Sequence, residues 1–496
     1  MSFLKENIRS ALTTPMRSDD VLDPLHELAK VLKSVGLSIE SAGGKVAFSG
    51  KDPIIKSPLP LATMAGVGLM AKAVAIADLW RTRTGEGQDL SVDLGQVLHR
   101  LCPFYDKKWE LLNGYAPGVP SDPGNPFMPS HMYKTRDGRW MQLMNIYPRS
   151  KSSALSFLGC CDSPQAIAEQ VRKWDARDLE EAANSAGLQA TMVRTVEEFL
   201  ECEQFPYLEA LPLIEIEKIA DCDPIPFTAD PKTPLDGIRA LGLGHVIAGS
   251  GLGRALAYHG ADVLNVWRPL DFEMDLVYYT ANVGMRSCTL DIGQADAMAK
   301  FRELLKGADV FFSNRRPGYL DKLNLSAHAM AQIKPGIIHV DMSLYGHEGP
   351  WANRVGFDQN AGGVSGVFAL EGTPENPKLT EIFVVNDYVM SWLATVGTAI
   401  ALKRRATEGG SYRVRVSLAR LSIWLLEMGI FDKDYAYEVA GTEGDHAYRA
   451  PELFSAQTPC GFYQGVTDQV QMSATPGHYE IPLVPRGSSA PQWLDR

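Results

Sequence analysis

Pro234 to Pro269 reads PLDGIRALGLGHVIAGSGLGRALAYHGADVLNVWRP, and this run decides the fold. The apolar residues from Ile238 to Ile247 predict a strand, the small residues around Gly249, Gly251 and Gly253 a turn, and the apolar spacing beyond them a helix. A second strand is predicted over Ala261 to Val266, which completes a strand–turn–helix–strand unit of the doubly wound α/β kind. A nicotinamide-binding turn would need G-x-G-x-x-G and an acidic residue closing the second strand. Here the spacing is G-x-G-x-G and the strand ends at Trp267-Arg268. The run therefore points to a phosphate-bearing nucleotide held in another way, or to glycines that only allow close packing.

The surrounding chain is long for one core. At 496 residues it should divide into two or three domains. Hydrophobic residues make up 45% and charged residues 22%, the balance of an ordinary globular protein. A net charge of −11 disfavours nucleic acid or an anionic membrane as partner, so a polyanionic ligand would need a local basic cluster. Seven cysteines (Cys102, Cys160, Cys161, Cys202, Cys222, Cys288, Cys460) contain no C-x-x-C pair, and an odd number fits a reducing cytoplasm better than a disulfide framework. No uninterrupted apolar stretch reaches the length of about 18 residues that spans a bilayer, and the N-terminal residues lack a signal-peptide pattern. A cytoplasmic location is the expectation. Leu483 to Ser488 reads LVPRGS, a string also used as an engineered cleavage site; no purification tag follows it, and a native tail is expected.

Two stretches share one grammar. Residues 59 to 80 predict an Ala-rich helix, followed by a glycine stop and an alternating strand in RTRTGEGQDLSVDL. Residues 384 to 418 repeat the pattern, and at an offset of 324 Gly85 falls on Gly409 and Val92-Asp93-Leu94 on Val416-Ser417-Leu418. We read a degenerate internal duplication. MYKTRDGRWMQLM (132 to 144) predicts a hairpin turning at Asp137-Gly138. The Pro-rich connectors GVPSDPGNPFMP (118 to 129) and DCDPIPFTADPKTPLDG (221 to 237) bracket it. The expected division is a partial first copy over 1–117, a small α+β domain over 118–220, a linker over 221–236, a Rossmann-like domain over 237–425 and a loop-rich tail over 426–496.

Asp387 is the carboxylate with the most pointed placement. It follows the strand-like run Ile382 to Val385 and opens a long helix, so it should lie at a helix N-terminus beside the carboxyl end of a strand, where open α/β sheets bind ligands. As the second half of an Asn386-Asp387 pair it could equally be a cap. The same position in the first copy is Thr63. Basic residues accumulate nearby: Arg254, Arg268, Arg286, Arg315, Arg316, Lys322 and Arg354. Arg268 and the Asn314-Arg315-Arg316 turn stand at predicted strand ends, positioned to meet phosphates. The ten histidines show no paired-ligand spacing, so no metal site is expected, and neither a G-x-S-x-G elbow nor a G-x-x-x-x-G-K-[ST] loop occurs.

GHVIAGSGLGRALAYHGADVLNVWRP, the M-R-S-C-T-L-D run (285 to 291), GADVFFSNRRPGYLDKL (307 to 323), PGIIHVDMSLYGHEGPWANRVGFDQNAGGVSG (335 to 366) and the Asp387 helix resemble, in order, the large domain of family III CoA-transferases. This is the CaiB/BaiF group, which includes formyl-CoA and carnitine CoA-transferases and has 2-methylacyl-CoA racemase as a relative. The resemblance covers about 234 to 420, and 55 to 220 looks like the later part of the same family's chain. It implies a Rossmann-like large domain of the CoA-transferase family III fold with a smaller α+β domain, here with partial internal duplication.

The resemblance also implies chemistry. Asp387 falls on the family's catalytic aspartate, which attacks an acyl-CoA thioester and carries CoA as an aspartyl thioester before passing it to an acceptor acid. The backbone around Val246, Ile247 and Ala248, with Arg268, Leu290, Asn314, Arg315 and Lys322, matches positions that line the family's CoA site. Acyl-CoA and a carboxylic acid would be the substrates, with no permanently bound cofactor, and a homodimer is implied. Where the family usually has an acid this chain has Trp267, and the glycine-rich flap of formyl-CoA transferase has no counterpart. The racemase's G-H-D run is here Gly356-Phe357-Asp358, and phenylalanine cannot exchange a proton. The resemblance therefore favours a CoA-transferase over a racemase-like isomerase, and a non-catalytic CoA-ester-binding homologue is the third reading.

Overall fold

The computed structural model describes residues 3–101, 103, 106–117, 125–128 and 130–495. Cys102 and most of the 118 to 129 connector lie outside the described residues. The protein is mixed α/β, and its largest element is a seven-stranded sheet. Its strands are β1 (Glu215–Ala220), β2 (Arg239–Leu243), β3 (Asp262–Trp267), β4 (Arg286–Thr289), β5 (Val310–Ser313), β6 (Ile338–Ser343) and β7 (Ser411–Ser417). They lie in the order β4-β3-β2-β5-β6-β7-β1. All neighbours from β4 to β7 pair in parallel, and only β1 runs antiparallel, against β7. Without β1 this is the strand order of a doubly wound dinucleotide fold, whose chain reverses direction across the sheet between its first and fourth strands. Here that switch point lies between β2 and β5.

The sequence grammar translates best into the central strands, which are short apolar runs buried on both faces as parallel strands require, whereas β4 and β7 carry polar and basic residues. Val310, Phe311 and Phe312 are wholly buried, as are Ile338 and Val340. Two boundaries differ from expectation. The strand predicted over Ile238 to Ile247 ends at Leu243, because Gly244, His245 and Val246 form a turn and helix α2 (Ala248–Tyr258) begins directly after it. The segment Glu215–Ala220, assigned by sequence to the small domain, is β1 of the large sheet. Its alternation places Glu217 against Arg413 and Glu215 against Arg415 of β7, so charge pairing on the exposed face fixes an edge strand there.

The helix–glycine–strand pattern folds the same way in both stretches. Helix α1 (Leu61–Thr84) stops at Gly85, which is left-handed with φ 81°, and the strand Gln88–Asp93 follows, paired in parallel with Gly43–Ser49. Helix α4 (Asn386–Glu408) stops at Gly409 with φ 70°, and β7 follows, paired in parallel with β6. Ser49 pairs with Asp93 and Ser343 with Ser417, so each second strand ends opposite a serine, although only the second strands, not their partners, keep the 324-residue offset. The next helices begin at Leu94 and Leu418, again 324 apart. The two long helices pack on each other in a common core. An 18-residue stretch of α1 has a mean hydropathy of 1.5, enough by length and composition to cross a membrane, yet nearly all of it is buried in the protein. Its apolar surface is consumed by packing against α4 and against the helix Pro24–Ser34, which is how a helix apolar all round is accommodated in a core.

The small unit forms as the hairpin predicts. Met132–Lys134 and Trp140–Gln142 are antiparallel around Asp137-Gly138, and Thr191–Met192 adds a third strand. Helices Pro148–Leu158, Pro164–Val171 and Ala176–Ser185 cover it with a core of their own. Beyond residue 426 the chain is not all loop. It contains the helix Lys433–Val439 and the strands Leu453–Thr458, Gly461–Val466 and Val470–Met472, the last paired with Gln88–Asp93 of the first unit. The following segment runs along the open edge of β4, where Ser489 donates to the carbonyl of Ser287, Gly487 donates to Ser287 Oγ and Leu483 is buried.

Candidate active site

The crevice at the switch point is built from the β2–α2 turn. Three side chains clamp that turn by hydrogen bonding its backbone. Asn265 on β3 exchanges bonds with the amide and carbonyl of Gly244, both at 3.0 Å. Asn314, which follows β5, accepts from the amide of His245 at 2.9 Å and donates to its carbonyl at 2.7 Å. Glu273 accepts from the amide of Val246 at 2.9 Å. Held in this way, Val246 adopts φ 58°, a left-handed conformation that costs a β-branched residue about 1–3 kcal/mol. Strain of this kind is sustained only where the surroundings over-determine the backbone.

The glycines of the opening run lie inside α2, not in the turn. A Cβ on Gly251 would stand 2.6 Å from Ser391 Oγ, and one on Gly249 2.4 Å from Asn314 Oδ1. They permit close packing of protein on protein, so the run does not itself form a phosphate cradle. The contact at Gly251 has a consequence for the site. Ser391 Oγ donates to the carbonyl of Ala248 at 2.7 Å and to that of Asp387 at 3.0 Å. The first turn of α4, with Asp387, is thereby fastened to the start of α2.

Asp387 is buried and opens α4, but Ile382 to Val385 is a turn and not a strand. Phe383 there has φ 62°. The cap is provided from elsewhere. Asp358, at the start of helix α3 (Asp358–Ser365), accepts from the amides of Val385 and Asn386 at 2.5 and 2.9 Å and from Asn386 Nδ2 at 2.8 Å. Burial raises the carboxyl of Asp358, with these donors opposing the shift. Burial and then the neighbouring Asp358 raise Asp387 well above the usual carboxylate range. Asp358 holds the donors, so the physical expectation is that it carries the charge of the pair while Asp387 holds the proton in the unliganded protein.

Arg268 and Arg315, at the ends of neighbouring parts of the sheet, are brought together by Asp271. Its Oδ1 lies 2.5 Å from Arg268 Nη2 and its Oδ2 2.8 Å from Arg315 Nη2, and both guanidiniums lie over the ring of Tyr319. The two arginines hold the Asp271 carboxyl well below its ordinary range against the opposing effect of burial. Two cations on one anion leave a net positive charge, suited to phosphate. Leu290 donates its amide to the carbonyl of Trp267, and Lys322 is exposed in a short 3-10 turn. Arg316 points elsewhere, to the carbonyl of Gly187. Arg254, Arg286 and Arg354 are consumed by ion pairs with Glu110, Asp262 and the Glu180–Glu181 pair. Trp267 is buried beneath the guanidinium of Arg486.

Residues 235–475, a little under half of the chain, match the family model of CoA-transferase family III. They form a CoA-transferase family III region. The chain is 28% identical to the acetyl-coenzyme A transferase nodX of Hypoxylon pulicicidum, over 61% of this chain and 55% of that one. It is 29% identical to the succinyl-CoA–L-malate CoA-transferase alpha subunit of Chloroflexus aurantiacus, over 44% and 55%. A solved CaiB/BaiF family protein from Brucella suis is 25% identical with a TM-score of 0.35, over 46% of this chain and 65% of that one. The chain spans about half the length of the curated relatives it matches. Within the family III region lie the clamped turn, both arginines, Asp358 and Asp387.

Three groups at this site were not singled out by sequence. Asp271 lies three positions after Arg268, a spacing that could have marked it, but its second partner Arg315 is 44 positions away, and Asp358, seen only as the end of the Gly356-Phe357-Asp358 run, bonds Asn386 28 positions on. Glu273 sits five residues after Arg268, and a strand-end acid in that stretch was its one available signal.

Proposed function

We propose that the protein transfers CoA between an acyl-CoA thioester and a carboxylic acid, with Asp387 as nucleophile. The observation that carries this reading is the fastening of Asp387, through Ser391, to the start of α2 directly after the strained Val246 turn, which Asn314, the neighbour of Arg315, also holds. Arg268 and Arg315 would take CoA phosphates, and the amides at the start of α2 would face the ligand as helix N-termini do.

The carboxylate of Asp387 attacks the donor thioester carbonyl and expels CoA thiolate, leaving a mixed anhydride. The thiolate then attacks the aspartyl carbonyl of the anhydride, releasing the donor acid and leaving an aspartyl-CoA thioester. The acceptor carboxylate reverses both steps and departs as the new thioester, which restores the Asp387 carboxylate. A buried acid at a helix N-terminus suits this chemistry, because little water reaches the anhydride.

The names of the relatives carry acetyl, succinyl and malate groups, and we extend to this chain the expectation of small acids. Phe357, stacked on Tyr147, stands where the racemase's run has a histidine and cannot exchange a proton, which argues against an isomerase. Trapping with hydroxylamine in the presence of acyl-CoA tests the reading. A hydroxamate at Asp387 that disappears in Asp387→Ala supports it, and exchange that survives this substitution refutes it.

A further inference from the structure

The small unit reaches into this site with one side chain. Tyr147 caps the helix Pro148–Leu158 and donates its hydroxyl to Glu273 Oε1 at 2.7 Å. The same carboxylate accepts from the amide of Met274 at 3.0 Å and, on its other oxygen, from the amide of Val246. The Tyr147 ring stacks on Phe357 with centroids 5.8 Å apart, and its edges meet His245 and Phe272 at 5.6 and 6.0 Å. Phe357 directly precedes Asp358, which caps the helix carrying Asp387.

A second set of bonds docks the same unit on α3. Asn360 Nδ2 donates to Thr191 Oγ1 at 3.0 Å, and the amide of Arg194 donates to the carbonyl of Gly363 at 3.0 Å. Asn145 steadies the segment leading to Tyr147 through two bonds to the backbone of Gln189. All these contacts are made within one chain.

We propose that Tyr147 is a positioning residue of the site, holding Glu273 against the Val246 turn, and that the small unit completes the site in the chain that carries Asp387. This rests on the CoA-transferase reading above. Glu273 bonds Tyr147 and Val246 at once, so the phenol acts on the CoA-binding turn through the carboxylate, and burial, Glu273 and the nearby Asp387 keep it protonated. The turn is strained, and losing one of its three clamps releases it. The effect belongs on ligand binding, with the acyl-transfer steps left alone once the ligand is seated.

The test uses Tyr147→Phe, which keeps the ring and its packing, and Glu273→Gln, which keeps the shape of the acceptor. Each should raise KM for acyl-CoA roughly tenfold while kcat stays within about twofold, since a lost bond to a buried charged group is of that order. The hydroxamate yield at saturating thioester should match wild type. The double variant should be no worse than the poorer single one, because both cut the same link. Unchanged KM in both single variants, or losses confined to kcat, would overturn the role. Completion in one chain is tested by unfolding and refolding Asp387→Ala together with Tyr147→Ala. Every active site in the mixture keeps the raised KM of Tyr147→Ala if each chain supplies its own Tyr147, whereas a population with wild-type KM shows that a partner copy supplies it and overturns that half of the proposal. Wild type without a hydroxamate defeats the nucleophile reading alone. The Tyr147 link is then decided by the Kd for coenzyme A, which the two single variants should still raise.

Discussion

Asp358 accepts hydrogen bonds at the first turn of α4 while its charge, together with burial, holds Asp387 above the ordinary carboxylate range. One acid thus orients the helix that bears the other and restrains its ionisation. Because attack requires the ionised form of Asp387, activity should rise with pH as that carboxyl loses its proton. Asp358→Asn removes the like charge and leaves the burial. The acid limb of the kcat/KM profile should therefore move to lower pH, with about 1–2 kcal/mol of stability lost at the cap. A limb that stays in place or moves up would show that the two carboxyls titrate independently.

Asn314 matches a position that lines the CoA site in the family, yet both ends of its amide are spent on the backbone of His245. Its part is to shape the turn. Asn314→Ala should weaken coenzyme A binding about tenfold, read by calorimetry, and cost about 1–3 kcal/mol in urea unfolding. Loss of stability with unaltered affinity would place the turn outside the binding surface.

Glu371 offers a separate handle on pH. Its buried carboxyl accepts from Ser57 of the first unit at 2.6 Å, and burial pushes it up to about 7. A carboxyl raised in the folded state binds its proton more tightly there than in the unfolded chain. Its contribution is therefore complete below the unfolded value and is lost as pH climbs through about 7. Glu371→Gln keeps an acceptor for Ser57 and removes the titration. The variant should match wild type at pH 4 and exceed it at pH 8 by up to roughly 3 kcal/mol, and equal stability curves across that range would exclude the effect.

Lys72 and Arg100 of the first unit both pair with Asp468 in a fully buried cluster, and the Arg100 guanidinium lies 4.7 Å from the ring centroid of Tyr388, the neighbour of Asp387. Asp468→Asn strands two buried cations and should cost about 3–5 kcal/mol. Lys72→Met leaves Asp468 paired with Arg100 and should cost less. The order of the two unfolding midpoints in urea checks the assignment, and a reversed order would mean that Arg100 alone does not neutralise Asp468.

Much of the fold was legible because its signals are local. Central strands such as Val310–Ser313 are short apolar runs and Ser411–Ser417 alternates, the Asp137-Gly138 hairpin has its own chemistry, and the repeated helix–glycine–strand pattern sits at one fixed offset. The placement of Asp387 on a helix N-terminus was readable for the same reason. What escaped depends on distant partners. A sequence shows that Arg254 is basic but not that Glu110, 144 positions earlier, absorbs it. The left-handed backbone of Val246 runs against its own propensity and exists only because Asn265, Asn314 and Glu273 converge on it. The glycine run looked like a ligand cradle because close approach leaves one signature whether the neighbour is a phosphate or Ser391.

The segment along β4 turns the LVPRGS string into a gauge of local opening. Arg486 donates to the carbonyl of Asp271 and covers Trp267, and Gly487 is tied to Ser287, so the peptide bond between Arg486 and Gly487 is fixed to the sheet. A protease that cuts after this arginine must wait for the strap to lift, and cleavage then follows the free energy of that opening. Since the anchor is Asp271, the residue that gathers Arg268 and Arg315, a ligand seated on those arginines would be felt at the scissile bond, and the cutting rate would report occupancy without any label.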